Sequence, residues 1–330
     1  MNIVTQKSIS ILPVTLFLTF LSGCIEAPVK AVGPLKPIPA EKPSLALKRT
    51  IKDEDFKNHL EEKGPKKRVV ILPFLDNSSE RLESSRTTAR IAFIDELNKS
   101  DEVLALDSNQ LKLDLTKYVR NGQYDLVGLA HDAESAGVSS LVEGKIIDLR
   151  FKKISEENLP GSKPKALFEA VVRMRIINVR SGQEIFHVVK TVGIEDDDTR
   201  VTSQTSPEIF FNKNPDLVTV LVKDAFLDFK PQLISSMNVI SWEGRIAALR
   251  GEKIYLNVGR ISGVQVGDIL KVVEDGSEIY DPEIGYNLGK ISGRLKGTLE
   301  IVSYFGQDGA ISVMHSGAGF KENDRVEVYH

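Results

Sequence analysis

The chain has 330 residues, 41 % of them apolar and 27 % charged, with a formal net charge of −3 and a single cysteine. That balance describes globular domains rather than a disordered chain, and it excludes the basic footprint of a nucleic-acid binder. One cysteine excludes an internal disulfide framework and a multi-thiolate metal site.

Lys7 gives a weakly positive start, and residues 9–21 are a mostly apolar run interrupted by Pro13. The run has about the length of a signal peptide's hydrophobic region and is too short for a comfortable membrane span. Leu21-Ser22-Gly23-Cys24 follows. This tetrad resembles a bacterial lipobox, in which small residues fit a narrow peptidase site and the cysteine thiol takes a diacylglycerol. The resemblance implies a signal peptide over 1–23 and a mature chain that begins at lipidated Cys24. Each buried methylene contributes about 0.8 kcal/mol, so two or more acyl chains, palmitate among them, anchor stably. The other reading is an ordinary signal peptide with an incidental cysteine. Ile25 and Glu26 stand where an inner-membrane retention signal carries aspartate. The expected address is therefore the outer membrane, facing the periplasm, with the lipid as the only contact with the bilayer.

Residues 24–66 read as a tether. Its first half, residues 27–48, holds Pro28, Pro34, Pro37, Pro39 and Pro43 with Gly33 and four lysines. Such a sequence favours extended polyproline II at about 3.1 Å per residue. Residues 51–62 carry Ile51, Phe56 and Leu60 at helical spacing.

A first domain is expected over 67–238. Residues 69–74 form a continuous apolar run, read as a buried strand that ends at Pro73. The turn cluster Asp76-Asn77-Ser78-Ser79 precedes a helix over 86–99 with Ile91, Ile94 and Leu97 as its apolar face. A second strand follows at 103–106, then helices at 113–120 and 124–136 with Gly137 as the stop. A third strand spans 140–149. A hairpin runs from 166 to 179, turns at 180–183 and returns to 192. A helix over 218–237, broken near Pro231, closes the domain.

This order predicts an α/β domain of two or three layers. It resembles the CsgG-like and TolB N-terminal-like family of cell-envelope proteins. The matching residues are Val-Ile-Leu-Pro-Phe-Leu-Asp-Asn-Ser at 70–78, Ala136-Gly137-Val138 leading to Val142-Glu143-Gly144-Lys145, and Ile177-Asn178-Val179-Arg180-Ser181-Gly182.

A second domain is expected over 241–330, rich in glycine and β-branched residues. Short runs at 244–249, 253–258, 268–273, 297–304, 309–314 and 324–329 predict a small all-β barrel or sandwich. Residues 262–272 echo 316–328: in each, a turn residue before aspartate (Gly267-Asp268, Asn323-Asp324) precedes an alternating strand. The domain resembles the C-terminal domain of the flagellar assembly protein T family. The carriers are Tyr255-Leu256-Asn257-Val258-Gly259, Gly263-Val264-Gln265-Val266-Gly267-Asp268, and Asp281-Pro282-Glu283-Ile284-Gly285 with Leu288-Gly289. In that family a TolB-like domain also precedes this one, but a separate N-terminal domain stands where this chain has a lipobox and tether.

No constellation in the sequence carries catalysis. His59, His131, His187, His315 and His330 are scattered without metal-ligand spacing. The run Glu195-Asp196-Asp197-Asp198 lacks the alternation of an oxygen-ligand loop. Gly161-Ser162-Lys163-Pro164-Lys165 lacks the spacing of a phosphate loop, and Gly259, Gly263 and Gly267 read as turns. Ser84-Ser85 and Ser235-Ser236 have no neighbouring base.

The expectation is a non-enzymatic lipoprotein without cofactor or metal, whose one assigned site is lipidation at Cys24. Its expected partners are envelope proteins, flagellar ring components foremost, in a homo-oligomeric ring, with no nucleic acid. Two other readings stand beside this one. A curli-type secretion pore would insert strands from 152–165 and 193–216, but both segments are too charged to face lipid cheaply. A tethered activator of peptidoglycan synthases would use the reach of residues 24–66, though it needs no second β-module.

Overall fold

The computed structural model describes residues 64–154, 165–196, 206–285, 287–291 and 293–329. The signal peptide, Cys24, nearly all of the tether and the expected helix at 51–62 lie outside the described residues.

Lys67–Ile71 forms β1, buried on both faces. Val69 and Ile71 enter one core cluster, Val70 and Leu72 another. That two-sided burial is why the run reads as continuous rather than alternating. Pairing of β1 ends before Pro73, and the chain makes a short β2 at Leu75–Asp76. Helix α1 spans Glu83–Asn98, starting earlier than expected. Ser85, Ala89, Phe93 and Leu97 make its buried stripe at intervals of four. The apolar face expected from Ile91 is corrected: Ile91 is 48 % exposed, because the bulk of Phe93 fixes the rotation of the helix.

Strand β3 covers Val103–Asp107 and pairs parallel to β1. The expected helix at 113–120 is also corrected. Residues Leu115–Tyr118 make one 3₁₀ turn, capped by the Asp114 carboxylate, which accepts from the Thr116 N–H at 3.2 Å. A two-residue ribbon follows, β4 (Val119–Arg120) and β5 (Gln123–Tyr124). Aspartate and threonine satisfy local backbone donors and so favour turns over a continuing helix. Helix α2 is Leu126–Ala133, extended by a 3₁₀ turn at Glu134–Ala136, and Gly137 stops it at φ +65° as expected.

Three long antiparallel strands follow: β6 (Ser140–Ile154), β7 (Lys165–Asn178) and β8 (Glu184–Asp196). The sheet order is β3-β1-β6-β7-β8, with β2 beside β6. Along β7 the side chains alternate. Ala166, Phe168, Ala170, Val172, Met174 and Ile176 face the larger core, while Glu169, Arg173 and Arg175 take the opposite face. Helix α3 (Pro207–Lys213), which the sequence pattern does not predict, brings Phe210 and Phe211 against Phe151 and Phe168. The expected closing helix is two: α4 (Pro215–Leu227) and α5 (Lys230–Met237). Pro231 lies in the first turn of α5, where its missing N–H costs nothing.

Helices α1 and α3–α5 cover one whole face of the sheet. Helix α2 and its flanking turns cover β1, β3, the first part of β6 and the last residues of β7 on the other. The α/β part is therefore three layers thick over its parallel half and two over its antiparallel half.

The remaining chain forms a closed six-stranded barrel. Its strands are β9 (Gly244–Arg250), β10 (Lys253–Leu256), β11 (Ile269–Val273), β14 (Leu295–Phe305), β15 (Gly309–Gly317) and β16 (Arg325–Val328). They close in the order β10-β15-β14-β11-β16-β9 around Ile246, Leu256, Leu270, Val272, Leu299, Ile301 and Val326. Each of the six expected runs supplies one strand. Between β11 and β14 a hairpin projects, β12 (Glu278–Tyr280) and β13 (Asn287–Lys290).

The sequence echo is a structural one. Asp268 and Asp324 each accept a hydrogen bond at 2.7 Å from the N–H three residues back, Gln265 and Lys321. Gly267 and Asn323, both at positive φ, donate to Ile301 and Ile246. The strands that follow, β11 and β16, then pair antiparallel, Leu270 with Val328 and Val272 with Val326. The barrel thus contains two copies of one turn-and-strand unit.

Candidate functional site

The sequence assigned one site, Cys24, and it lies outside the described residues. Several of the other singled-out residues serve structure. Ser85 shares a hydrogen bond of 2.8 Å with Thr219, joining α1 to α4. Ser236 donates to the carbonyl of Gln232. His187 stands 3.0 Å from Glu184 on the surface of β8. Gly263 and Gly267 are turns at positive φ, and a Cβ on Gly259 would strike the Gly309 backbone. Among the described residues no group of three His, Cys, Asp or Glu side chains converges on a metal position.

In an open α/β sheet, ligands bind beyond the carboxyl ends of the parallel strands. Here that crevice holds the protein's own ion pairs. Arg90 reaches Asp107 at 2.8 Å and the Ile71 carbonyl at 3.3 Å, and Arg81 reaches Asp76 at 3.3 Å. Burial pushes the Asp76 carboxyl up, against the N–H of Ser78 and the charges of Arg81, Arg86 and Lys145.

Three surfaces remain. The first is the uncovered face of β6, β7 and β8. Glu143 is wholly buried there, held by Arg173 at 2.6 Å, Arg175 at 3.4 Å and the Tyr124 N–H at 2.9 Å. Burial and then the Glu143 charge push the Tyr124 phenol up to about 12. The ladder continues along the strands through Glu169 with Lys152 at 2.9 Å.

The second surface is the sheet rim. At β3 the rim is plugged: the Asn98 side chain donates to the Ala105 carbonyl at 3.0 Å and accepts its N–H at 2.8 Å. At β8 no described residue plugs the backbone in this way. None of its described side chains is fully buried, and Phe186, Val188, Val192 and Ile194 lie half-covered at the edge of the core. One guard is present. Lys190 points to the helix side, bound to Asp228 at 2.6 Å with its ammonium over the Phe229 ring.

The third surface lies where the α/β part meets the barrel, within one compact unit. The two are locked together by charge. The Arg245 guanidinium, nearly inaccessible, lies 3.3 Å from Glu134 and 3.4 Å from Asp275. Lys290 of the projecting hairpin pairs with the same two carboxylates, at 3.0 Å for Asp275. Asn257 accepts from the Arg245 N–H at 2.8 Å and donates to the Ala136 carbonyl at 3.4 Å. Arg68 donates to the Asn257 carbonyl at 2.9 Å. Burial raises the Asp275 carboxyl, but the bonds and charges of Lys290 and Arg245 outweigh it and hold the group below the ordinary value.

Beside this lock opens a groove of about 410 Å³. Its walls come from four places: Gly64, Pro65 and Lys67 at the start of the described chain; the linker 238–242; Lys271 on β11; and Glu327 with Val328 on β16. Lys67 is fixed by a 2.7 Å bond to the Met237 carbonyl, and burial lowers its pKa against the opposing charge of Glu102. Trp242 forms one wall at 7 % exposure. Sequence reasoning missed this groove because its residues come from segments up to 264 positions apart. The one local signal was the unusual placement of the sole tryptophan in a short linker.

No protein-family model matches the chain, and no curated protein matches it. Among solved structures, a hypothetical protein, CT253, from Chlamydia trachomatis is 12 % identical over 52 % of this chain and 97 % of its own, with a TM-score of 0.33. The PelC dodecamer of Paraburkholderia phytofirmans is 10 % identical over 49 % of this chain and 86 % of its own, at 0.27. The LpoB C-terminal domain from Salmonella enterica is 13 % identical over 41 % of this chain and 90 % of its own, at 0.24. Similarity at this level assigns the chain neither a family nor an activity.

Proposed function

We propose that this chain is a non-enzymatic envelope lipoprotein, anchored through Cys24 and working as a periplasmic scaffold. The observation that carries the reading is the disposition of its polar side chains. The carboxylates of the strand-end crevice and of the sheet face are each held by an arginine or a lysine, while the free features are a sheet rim and a groove suited to docking protein chains. The finer reading is assembly or stabilisation of a flagellar outer ring. It is supported by the motifs in residues 255–289 and by the order of an α/β part followed by a closed barrel.

Two experiments test the reading. Cells fed an alkyne-tagged fatty acid should label the chain, and Cys24→Ala should abolish both label and membrane retention. Unlabelled wild-type protein recovered only from the soluble periplasm would overturn the anchor. For the finer reading, deletion of residues 241–330 should impair motility and ring assembly; unchanged motility with intact rings would remove the flagellar assignment while leaving the scaffold.

A further inference from the structure

We infer that the groove between the α/β part and the barrel is a docking site for the free carboxyl terminus of a partner chain ending in an apolar residue. That the partner is a protein rests on the scaffold reading; the chemistry of the groove does not.

A volume of about 410 Å³ lies within the range of built ligand sites, roughly 300–1,000 Å³, and is too small for more than the last residues of a peptide. Its floor is apolar: Pro65, Ile240, Trp242 and Val328. Its charge is positive. Lys67 and Lys271 both line it, and Lys271 has no ion-pair partner among the described residues. The one carboxylate in the walls, Glu327, faces Lys271 across the β11–β16 pairing but is engaged elsewhere, by Arg325 at 2.8 Å and Arg180 at 3.8 Å.

The linker adds donors. The amides of Asn238 and Ile240 bond back to the end of α5, whereas those of Val239, Ser241 and Trp242 find no backbone acceptor among the described residues. The Trp242 indole N–H is enclosed and without an acceptor among the described residues, so the donors on offer are those of the linker backbone. Free main-chain amides beside cations are a means by which proteins capture terminal carboxylates. A chain terminus also carries its apolar side chain and its carboxylate on the same Cα. That is the combination an apolar floor rimmed by two ammonium groups accepts. An internal aspartate or glutamate would have to bring two chain directions into the same space.

Trp242 is the only tryptophan in the chain, so its emission reports on the groove directly. Full-length lipoprotein in detergent is titrated with N-acetyl-Ala-Leu-Leu as the free acid, with its C-terminal amide, and with inorganic phosphate. The free acid should change the emission saturably and bind at least five-fold more tightly than the amide. Lys271→Met should bring the acid down to the level of the amide. Lys271 lies on the barrel exterior, so this variant should keep the wild-type urea midpoint; Lys67→Met also removes the bond to Met237 and serves as the second variant. Equal binding of acid and amide overturns the proposal. So does competition by phosphate as effective as by the acid peptide, or an emission that none of the three probes changes. Peptide binding by the full-length protein, together with normal swimming of a strain whose chain lacks residues 241–330, would leave this site standing and remove only the flagellar reading.

Discussion

Gly137 joins a helix stop to the junction between the two folded parts, and replacing it with alanine perturbs both. The backbone sits at φ +65°, where an L side chain costs roughly 1–2 kcal/mol. The added Cβ would also overlap Asn257 Nδ2 and press on Arg245 Cγ at 3.2 Å. Asn257 must then give up its bonds to the Arg245 N–H and the Ala136 carbonyl, at about 0.5–1.5 kcal/mol each. The expected total is about 2–5 kcal/mol. At about 2–4 °C per kcal/mol for a chain of this size, thermal unfolding should fall by roughly 4–20 °C. Gly251 supplies the control. It has the same left-handed backbone, φ +61°, with nothing within 4 Å of an added Cβ, so Gly251→Ala should cost only the backbone part. Urea denaturation of both variants measures the difference, and hydrogen exchange should rise at 134–138 and 243–246 in Gly137→Ala alone. Equal losses in the two variants would refute the claim that Gly137 is fixed by the junction.

Glu143→Ala leaves Arg173 and Arg175, both largely buried on the otherwise uncovered sheet face, without their shared carboxylate, while Arg175 keeps Glu184 at 2.5 Å. It should destabilise the chain by about 3–5 kcal/mol in urea unfolding; a loss under 1 kcal/mol would mean that water already screens the cluster. The Asp275 carboxyl is held below its unfolded value of 3.8, so its contribution is complete above pH 3.8 and is lost as pH falls from there through the folded pKa. Wild-type stability should therefore decline below about pH 4 more steeply than that of Asp275→Asn, and identical pH profiles would show that the junction does not titrate.

Much of this architecture was legible because it rests on local chemistry. The run Val69-Val70-Ile71-Leu72 announced a strand buried on both sides, and the alternation in 166–179 announced one buried on a single side. The paired Gly267-Asp268 and Asn323-Asp324 turns announced the repeat inside the barrel. The failures share a cause. Ile91 fits an apolar helical face, yet Phe93 claims the core, because rotation of a helix is settled by what it packs against. Residues 113–120 have helical composition, but Asp114 and Thr116 close a tighter turn. Helix α3 went unseen because its role lies in two phenylalanines meeting Phe151 and Phe168 across the sheet. The candidate groove was the least legible feature, since each of its four walls is unremarkable until the junction brings them together.

The Asn98 plug on β3 restricts which assemblies the chain can enter by extending its sheet. Head-to-tail growth, with β8 of one copy joining β3 of the next, would need the Ala105 backbone groups that Asn98 already holds. Edge-to-edge pairing is then left to β8 and to the stretch of β6 beyond Ile147, which pairs with β7 on one side and with no described strand on the other. β8 against β8 is isologous and closes at two copies, whereas β8 against the far part of β6 is heterologous and can propagate. A ring built by sheet extension would therefore run its seam through β8 and β6, with β3 kept out of every junction between protomers.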